Sequence, residues 1–440
     1  MKQSDIKIIK SLGSIGSETL NGKNYSRDDF ARSIINYPAM MVPSVQEPII
    51  QRLSQALKGD IGLIDPFMGA SNTLVTGMKY GLNIFGQDIN PLSLLISQVK
   101  THYYSAEELE NAEERILNVI KGDRSKKTEV KFPNIDKWFT KEAQTDLSKI
   151  YRAILKEKEV NIRKFFWTTL AEVIRLNSND RTSTFKLHMR PLEEIRKRKI
   201  ACIKSFETIS KRSIKSLTTF CEVLKQNGFI KNGKYSKSLE IAWADTKKEI
   251  KTKRTFNLLI TSPPYGDNQS TVTYGQFSYL PLQWIPLEDI DESITFDYLR
   301  STLAIDTESL GGTTNKSQKE MDEIVYNKSK TLKKFINQFE GVERRRADKI
   351  TRFIYDLDSS INNMLPKLSK DSYMVWTIGN RNVNKKEVKN DIILSELMDS
   401  NGISLFTDLE RDILSKRMPG KNNISNTMSK EKILIFKKSS

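Results

Sequence analysis

Cysteine and histidine are nearly missing from this chain of 440 residues, with two of each. Cys202 and Cys221 share no Cys-x-x-Cys spacing, so neither a disulfide framework nor cysteine-ligated zinc is expected. His102 and His188 stand far apart in sequence, which argues against a histidine-built metal centre, and no metal is expected. Long apolar runs are lacking too: none approaches the ~18–20 residues that a membrane span needs. Met1 to Asp5 shows no apolar core of a signal peptide, and a cytoplasmic location is the expectation. No internal repeat is visible.

What the chain does have is positive charge in one place. The net charge is +17, and residues 161–240 alone hold 18 Lys and Arg against 7 Asp and Glu. A basic zone in an otherwise near-neutral chain is the footprint of a polyanionic partner, although lysine-rich composition alone also produces such runs.

Short apolar stretches ending in an acid mark strands at 61–65 and 82–88, with a helix of suitable length at 71–80 between them and another at 91–100. From about 105 to 230 the spacing is helical, interrupted at Pro133 and Pro191. Strand character returns at 238–243, 257–261, 373–378, 403–408 and 432–436, with a helix at about 343–364. The predicted architecture is a doubly wound α/β sheet of seven strands with a largely helical insertion. The last two strands, joined through Pro419-Gly420-Lys421-Asn422-Asn423 without room for a crossover helix, should form an antiparallel hairpin. The expected segments are a cofactor-binding half at 1–104, a basic helical insertion at 105–236 and a catalytic half at 237–286. A polar insertion or loop at 287–342, whose Gly311-Gly312 pair looks mobile, and the rest of the core at 343–440 complete the chain.

Four strand ends carry chemistry. After the first, Asp65-Pro66-Phe67-Met68-Gly69-Ala70-Ser71 forms a strand–turn–helix junction. Asp65 suits an ammonium group, and the helix N-terminus with Ser71 suits a carboxylate or phosphate. Asp88, followed by Ile89-Asn90-Pro91, lies where ribose hydroxyls are accepted, or where a helix is simply capped. Asp245 could accept from an amino group or close a turn. The fourth end, Ser262-Pro263-Pro264-Tyr265, is locked by two prolines that remove backbone donors. What remains is carbonyl oxygens, one hydroxyl and one aromatic face, which suit a planar group bearing an amino substituent. Taken alone, such a turn is more often merely structural; ligands of open α/β sheets, however, bind along this rim.

These residues together resemble the amino-group DNA methyltransferases that use S-adenosylmethionine. Asp65-Pro66-Phe67-Met68-Gly69 is similar to the family's cofactor motif, Asp88 to its ribose-binding acid and Ser262-Pro263-Pro264-Tyr265 to its catalytic motif. Tyr37-Pro38-Ala39 opens a segment resembling the one that covers the methionine portion of the cofactor. Arg411, Lys416-Arg417-Met418-Pro419 and Glu431 resemble the carboxyl-terminal hairpin. The resemblance implies cofactor contacts from Tyr37, Pro38, Ala39, Asp65, Pro66, Phe67, Gly69, Ser71, Asp88, Asn90 and Asp245. It departs at Gly69-Ala70-Ser71, where the family has Gly-Ser-Gly, and at the segment order, since Asp245 stands directly before the catalytic turn.

Within the family, Ser-Pro-Pro-Tyr is usual for cytosine N4 and Asp-Pro-Pro-Tyr for adenine N6, which is the alternative. Carbon-5 transfer needs a Pro-Cys nucleophile that neither cysteine supplies. The implied partner is double-stranded DNA, read by a monomer whose cognate restriction endonuclease would act separately. Arg181, Lys186, Arg190, Arg196, Lys197, Arg198 and Lys199 are the expected DNA contacts, with Tyr274 as a wall of the base pocket or DNA cleft. More distant alternatives are an RNA or protein substrate, or a binding module without catalysis.

Overall fold

The computed structural model describes residues 2–22, 25–413 and 430–439. Among them, seven strands form one sheet: β1 (Gly62–Asp65), β2 (Asn83–Asp88), β3 (Leu239–Trp243), β4 (Phe256–Thr261), β5 (Leu368–Ile378), β6 (Ser404–Asp412) and β7 (Lys430–Lys438). Their spatial order is β6-β7-β5-β4-β1-β2-β3. β3, β2, β1, β4 and β5 run parallel, and β7 is antiparallel to both β5 and β6. The expected edge hairpin is therefore present. Its connecting residues, Lys416 to Asn423 included, lie outside the described residues.

Period-2 alternation assigns the apolar residues of each strand to two layers. Leu63, Leu258, Ile260, Val375, Ile433 and Ile435 join one core cluster, and Ile64, Leu259, Met374, Trp376, Leu434 and Phe436 join the other. All twelve are buried, each contributing roughly 1.5–3 kcal/mol through removal from water.

The first layer is covered by α1 (Pro43–Ala56), α2 (Asn72–Lys79), α3 (Pro91–Thr101), α4 (Ala106–Gly122), α5 (Lys141–Leu155), α6 (Val160–Asn177) and α7 (Cys202–Gln226). α2 sits close to the sheet because β2 carries Gly86, where a Cβ would lie 2.4 Å from Leu74 Cδ1. The helices of the insertion thus share one apolar core with the sheet. α8 (Tyr274–Leu282) packs against α6 and α3 in the same layer.

The second layer is built by α9 (Gly341–Met364) and α10 (Asn390–Ser400). The polar stretch 287–342, expected as an insertion or loop, is not an open loop. It holds helices at Leu287–Ile290, Ala304–Glu308, Gln318–Lys328 and Lys330–Ile336, anchored by buried Met321, Val325 and Leu332. Sparse apolar residues at helical spacing are easily missed in so polar a segment. Its Gly311-Gly312 pair serves close packing: a Cβ on Gly311 would lie 2.9 Å from Asp267 Cβ, and one on Gly312 would strike the Thr307 carbonyl.

Candidate active site

The four parallel strands β3, β2, β1 and β4 end side by side, so their last residues share one rim. There a cleft of about 870 Å³, open to solvent, is lined by Asp245, Asp88, Asp65 and Ser262 together. The four chemistry-bearing ends are brought together, as expected.

Each carboxylate is held in its own way. Asp88 is clamped by backbone donors, Gly69 N–H on Oδ2 at 2.9 Å and Asn90 N–H on Oδ1 at 2.9 Å. The Ser93 hydroxyl and Ile89 N–H approach it as well, it lines the cleft, and burial raises its pKa. Asp65 is 1% exposed and accepts from Thr261 Oγ1 at 2.7 Å and Phe67 N–H at 3.2 Å, both on Oδ1. Burial pushes its carboxyl up to about 6, although these hydrogen bonds oppose the shift. Asp245 accepts Lys247 N–H on Oδ1 at 3.0 Å, whereas its buried Oδ2 has no hydrogen-bond partner among the described residues. The Lys247 and Lys248 ammonium groups stand 3.9 and 3.7 Å from that oxygen. A buried acceptor left open in this way is placed for a donor on a ligand.

The strap Tyr37-Pro38-Ala39-Met40-Met41 closes one side of the cleft. Asn72 Nδ2 donates to the Met41 carbonyl at 2.7 Å, and Gln46 Nε2 to Thr73 Oγ1 at 2.9 Å, which fasten the strap to the start of α2. The Tyr37 hydroxyl accepts from Asn90 Nδ2 at 3.0 Å. That amide also donates to Ser278 Oγ at 2.8 Å, and Asn90 Oδ1 caps α3 at Leu92 N–H. Asn90 therefore lines the cleft but spends its side chain on framing it. Pro66, Phe67 and Gly69 line it directly.

Ser71 does not reach the cleft. It is fully buried, with φ +59°, and its hydroxyl is bonded to Ser97. A left-handed residue at the helix N-cap turns its side chain inward, leaving Asn72 and Thr73 at the wall. Tyr274, expected as a wall of the base pocket or of the DNA cleft, lines the cleft that holds Ser262, its ring 5.9 Å from that of Tyr37. The cause is that α8 begins at Tyr274 and is pulled in by Asp306, which accepts Gly275 N–H at 2.9 Å.

At the catalytic turn, Ser262 and Pro264 face the cleft, whereas Pro263 is buried outside its lining. Tyr265 lies beside Ser262, half-buried, and its hydroxyl donates to Glu431 Oε1 at 3.0 Å. Glu431 had only been placed in the hairpin by resemblance; no local spacing signals this contact. Also unanticipated in the lining are Asn268, Ile305, Ser309 and Leu310, brought in by the helical segment after the turn.

Among the basic residues, Arg181, Lys186, Arg196, Lys197 and Lys199 are exposed. Arg198 differs: it donates to the Leu176 and Ser178 carbonyls at 2.7 and 2.6 Å, satisfying acceptors at the end of α6. Arg190 likewise donates to the Asp180 carbonyl at 2.9 Å. The loop they brace contacts α8 and the residue before it: Leu187 N–H donates to Gln276 Oε1 at 3.0 Å and Thr273 Oγ1 to the Phe185 carbonyl at 3.2 Å.

A seven-stranded sheet with this rim of acids defines a Rossmann-like methyltransferase fold. No family model matches the chain. It is 31% identical to the type II methyltransferase M.MvaI of Kocuria varians over 418 residues, 91% of this chain and 89% of that protein. A shorter match, 31% identical over 136 residues, covers 31% of this chain and 25% of the type II methyltransferase M.MjaII of Methanocaldococcus jannaschii. Among solved structures, the rRNA methyltransferase aviRa of Streptomyces viridochromogenes aligns over 94% of this chain and 93% of its own. At 11% identity and a TM-score of 0.32, that likeness carries no argument. The chain belongs to the type II methyltransferase family. Its methyl donor is S-adenosylmethionine, and the cleft fits that group: an open acceptor at Asp245, the Asp88 carboxylate and a helix N-terminus meet in one cavity. Among the described residues no helix is long and apolar enough to cross a membrane, and no cluster of ligating side chains could hold a metal ion.

Proposed function

We propose that this methyltransferase acts on DNA and methylates the exocyclic N4 of cytosine, as the modification enzyme of a restriction–modification pair. The observation that carries the reading is Ser262 opening into the same cleft as Asp65, Asp88 and Asp245. In this assignment Asp65 receives the cofactor's ammonium group and the start of α2 its carboxylate. Asp88 takes the ribose hydroxyls and Asp245 the adenine amino group. Bound there, S-adenosylmethionine supplies an electrophilic methyl group.

An amino group inside a duplex cannot reach the cleft, so the target base is turned out of the stack. Ser262 Oγ accepts an amino hydrogen, returning electron density to nitrogen; the Pro263 carbonyl, expected to accept the second, lies outside the cleft lining and is not assigned that role. The Tyr265 ring, fixed through its hydroxyl, is the stacking platform. Orientation and fixed dipoles account for the catalysis. The exposed cations Arg181, Lys186, Arg196, Lys197 and Lys199 supply phosphate contacts.

Serine in place of aspartate at position 262 favours cytosine over adenine. Single-molecule sequencing of DNA from cells expressing the chain tests the whole reading. It should report 4-methylcytosine in one recurring sequence context. Finding 6-methyladenine would overturn the choice of base, and unmodified DNA would overturn the DNA assignment.

A further inference from the structure

A serine hydroxyl carries one donor and two acceptor lone pairs, and an amine about to lose a proton needs those lone pairs, not the proton, turned toward it. Three side chains behind Ser262 decide the matter. Arg411 on β6 places Nε and Nη2 at 2.6 and 2.5 Å from Glu431 Oε2 on β7. Glu431 Oε1 takes the Tyr265 hydroxyl at 3.0 Å. A carboxylate paired with arginine is an acceptor only, so the single phenolic proton points toward Glu431. The Tyr265 oxygen lies 3.3 Å from Ser262 Oγ. Having committed its proton, Tyr265 accepts there, and Ser262 donates. The lone pairs of Ser262 are then left for the cleft.

We propose that the chain Arg411–Glu431–Tyr265 sets the hydrogen-bond polarity of Ser262, making it an acceptor toward the substrate amino group. Glu431 and Arg411 act through Tyr265 and are positioning residues. The inference rests on the reading of Ser262 as the group that meets the target amine. It also gives the hairpin a purpose beyond closing the sheet edge. A residue 166 positions after Tyr265 in sequence fixes which way a hydroxyl proton faces.

Glu431→Gln reverses the chain at nearly constant volume. Arg411 retains the amide oxygen, so the amide NH₂ turns toward Tyr265. Tyr265 must then donate to Ser262, and the serine proton swings into the cleft. The expected result is a roughly ten- to hundredfold slower single-turnover methyl transfer, comparable to removing one preorganised polar contact. The dissociation constants for S-adenosylmethionine and DNA should stay within about twofold.

Tyr265→Phe keeps the ring and removes the relay, and should slow transfer by a smaller factor. In that background Glu431→Gln has nothing to reverse, so the double variant should be no slower than Tyr265→Phe alone. Multiplying losses would show that Glu431 works through hairpin packing and would overturn the proposal. So would a wild-type rate in Glu431→Gln. Should Glu431→Gln fail to fold, as judged by lost cofactor binding, a wild-type rate in Tyr265→Phe overturns it equally. Absence of methyl transfer to DNA by the unaltered protein would instead strike the function proposed above. An active wild type with an unimpaired Glu431→Gln variant would leave that function standing and remove only the polarity chain.

Discussion

The two halves of the cleft are built by opposite means. On the cofactor side, Asp88 is gripped by Gly69 and Asn90, within 19 residues of it, and Asp245 by Lys247 two residues on. On the catalytic side, Tyr265 is held by Glu431 and by Asn390, 166 and 125 residues away. The contacts of Asp88 and Asp245 are made within neighbouring chain, whereas Asp65, which also takes Thr261 Oγ1 from 196 residues on, ties the two halves together. The catalytic half depends on the sheet being closed by its last hairpin. Substitutions in one half, other than at Asp65, should therefore leave the other's readout alone, and this separation can be attacked directly.

Asp88→Ala should have the largest effect. It removes the acceptor for two backbone N–H groups and, in the proposed assignment, for the ribose. Hydrogen bonds to a charged group are worth about 1.5–3 kcal/mol each, so cofactor affinity should fall at least a hundredfold. Calorimetry with S-adenosylmethionine measures this; unchanged affinity would remove Asp88 from the cofactor site.

Asp65→Asn is the next, smaller break, and it carries a pH signature. The Asp65 carboxyl titrates at about 6, so its charge is present above that pH and lost below it. If it receives an ammonium group, wild-type cofactor affinity falls as pH drops through about 6. Asp65→Asn should bind roughly tenfold more weakly at pH 7.5 and show a flatter profile there. Stability runs the other way. A buried acid with a raised pKa stabilises the fold fully below its unfolded value near 3.8, and that contribution is lost as pH rises through about 6. The cofactor-free Asp65→Asn protein should thus gain about 1–3 kcal/mol over wild type at pH 7.5, an advantage that disappears near pH 4. Thermal melts at the two pH values check it.

This asymmetry also explains what could be read from sequence. Asp65, Asp88 and Asp245 announce themselves because strand, acid and turn are adjacent in the chain, and the strand pattern orders them along one rim. The seven strands follow from the same short-range alternation. Ser71 misled because a left-handed backbone at that residue, where glycine would have been the usual choice, cannot be read from residue type. Tyr274 and Ser309 reach the cleft through the path of α8 and the segment after it, which is set by a buried contact between Asp306 and Gly275, and Asn268 through the turn that leads into α8. The partners of Tyr265 are invisible for the same reason: Glu431 is fixed by β7 pairing with β5 and β6 and Asn390 by the placing of α10, not by spacing.

Asn390 offers the finest test of the separation. It is 2% exposed at the start of α10, and its Nδ2 donates to the Tyr265 carbonyl at 3.1 Å and the Gly379 carbonyl at 2.9 Å. Asn390→Ala leaves two carbonyls without this donor, which should cost about 1–3 kcal/mol of stability. Methyl transfer should slow several-fold because the turn bearing Ser262 loses a tether, while cofactor affinity stays constant. Asn390→Asp should be worse than alanine, since a carboxylate there faces two carbonyl acceptors. Paired measurements of single-turnover rate and cofactor binding decide the point. Equal losses in both would mean that the halves of the cleft stand or fall together, and local construction of the cofactor side would then be insufficient to hold it.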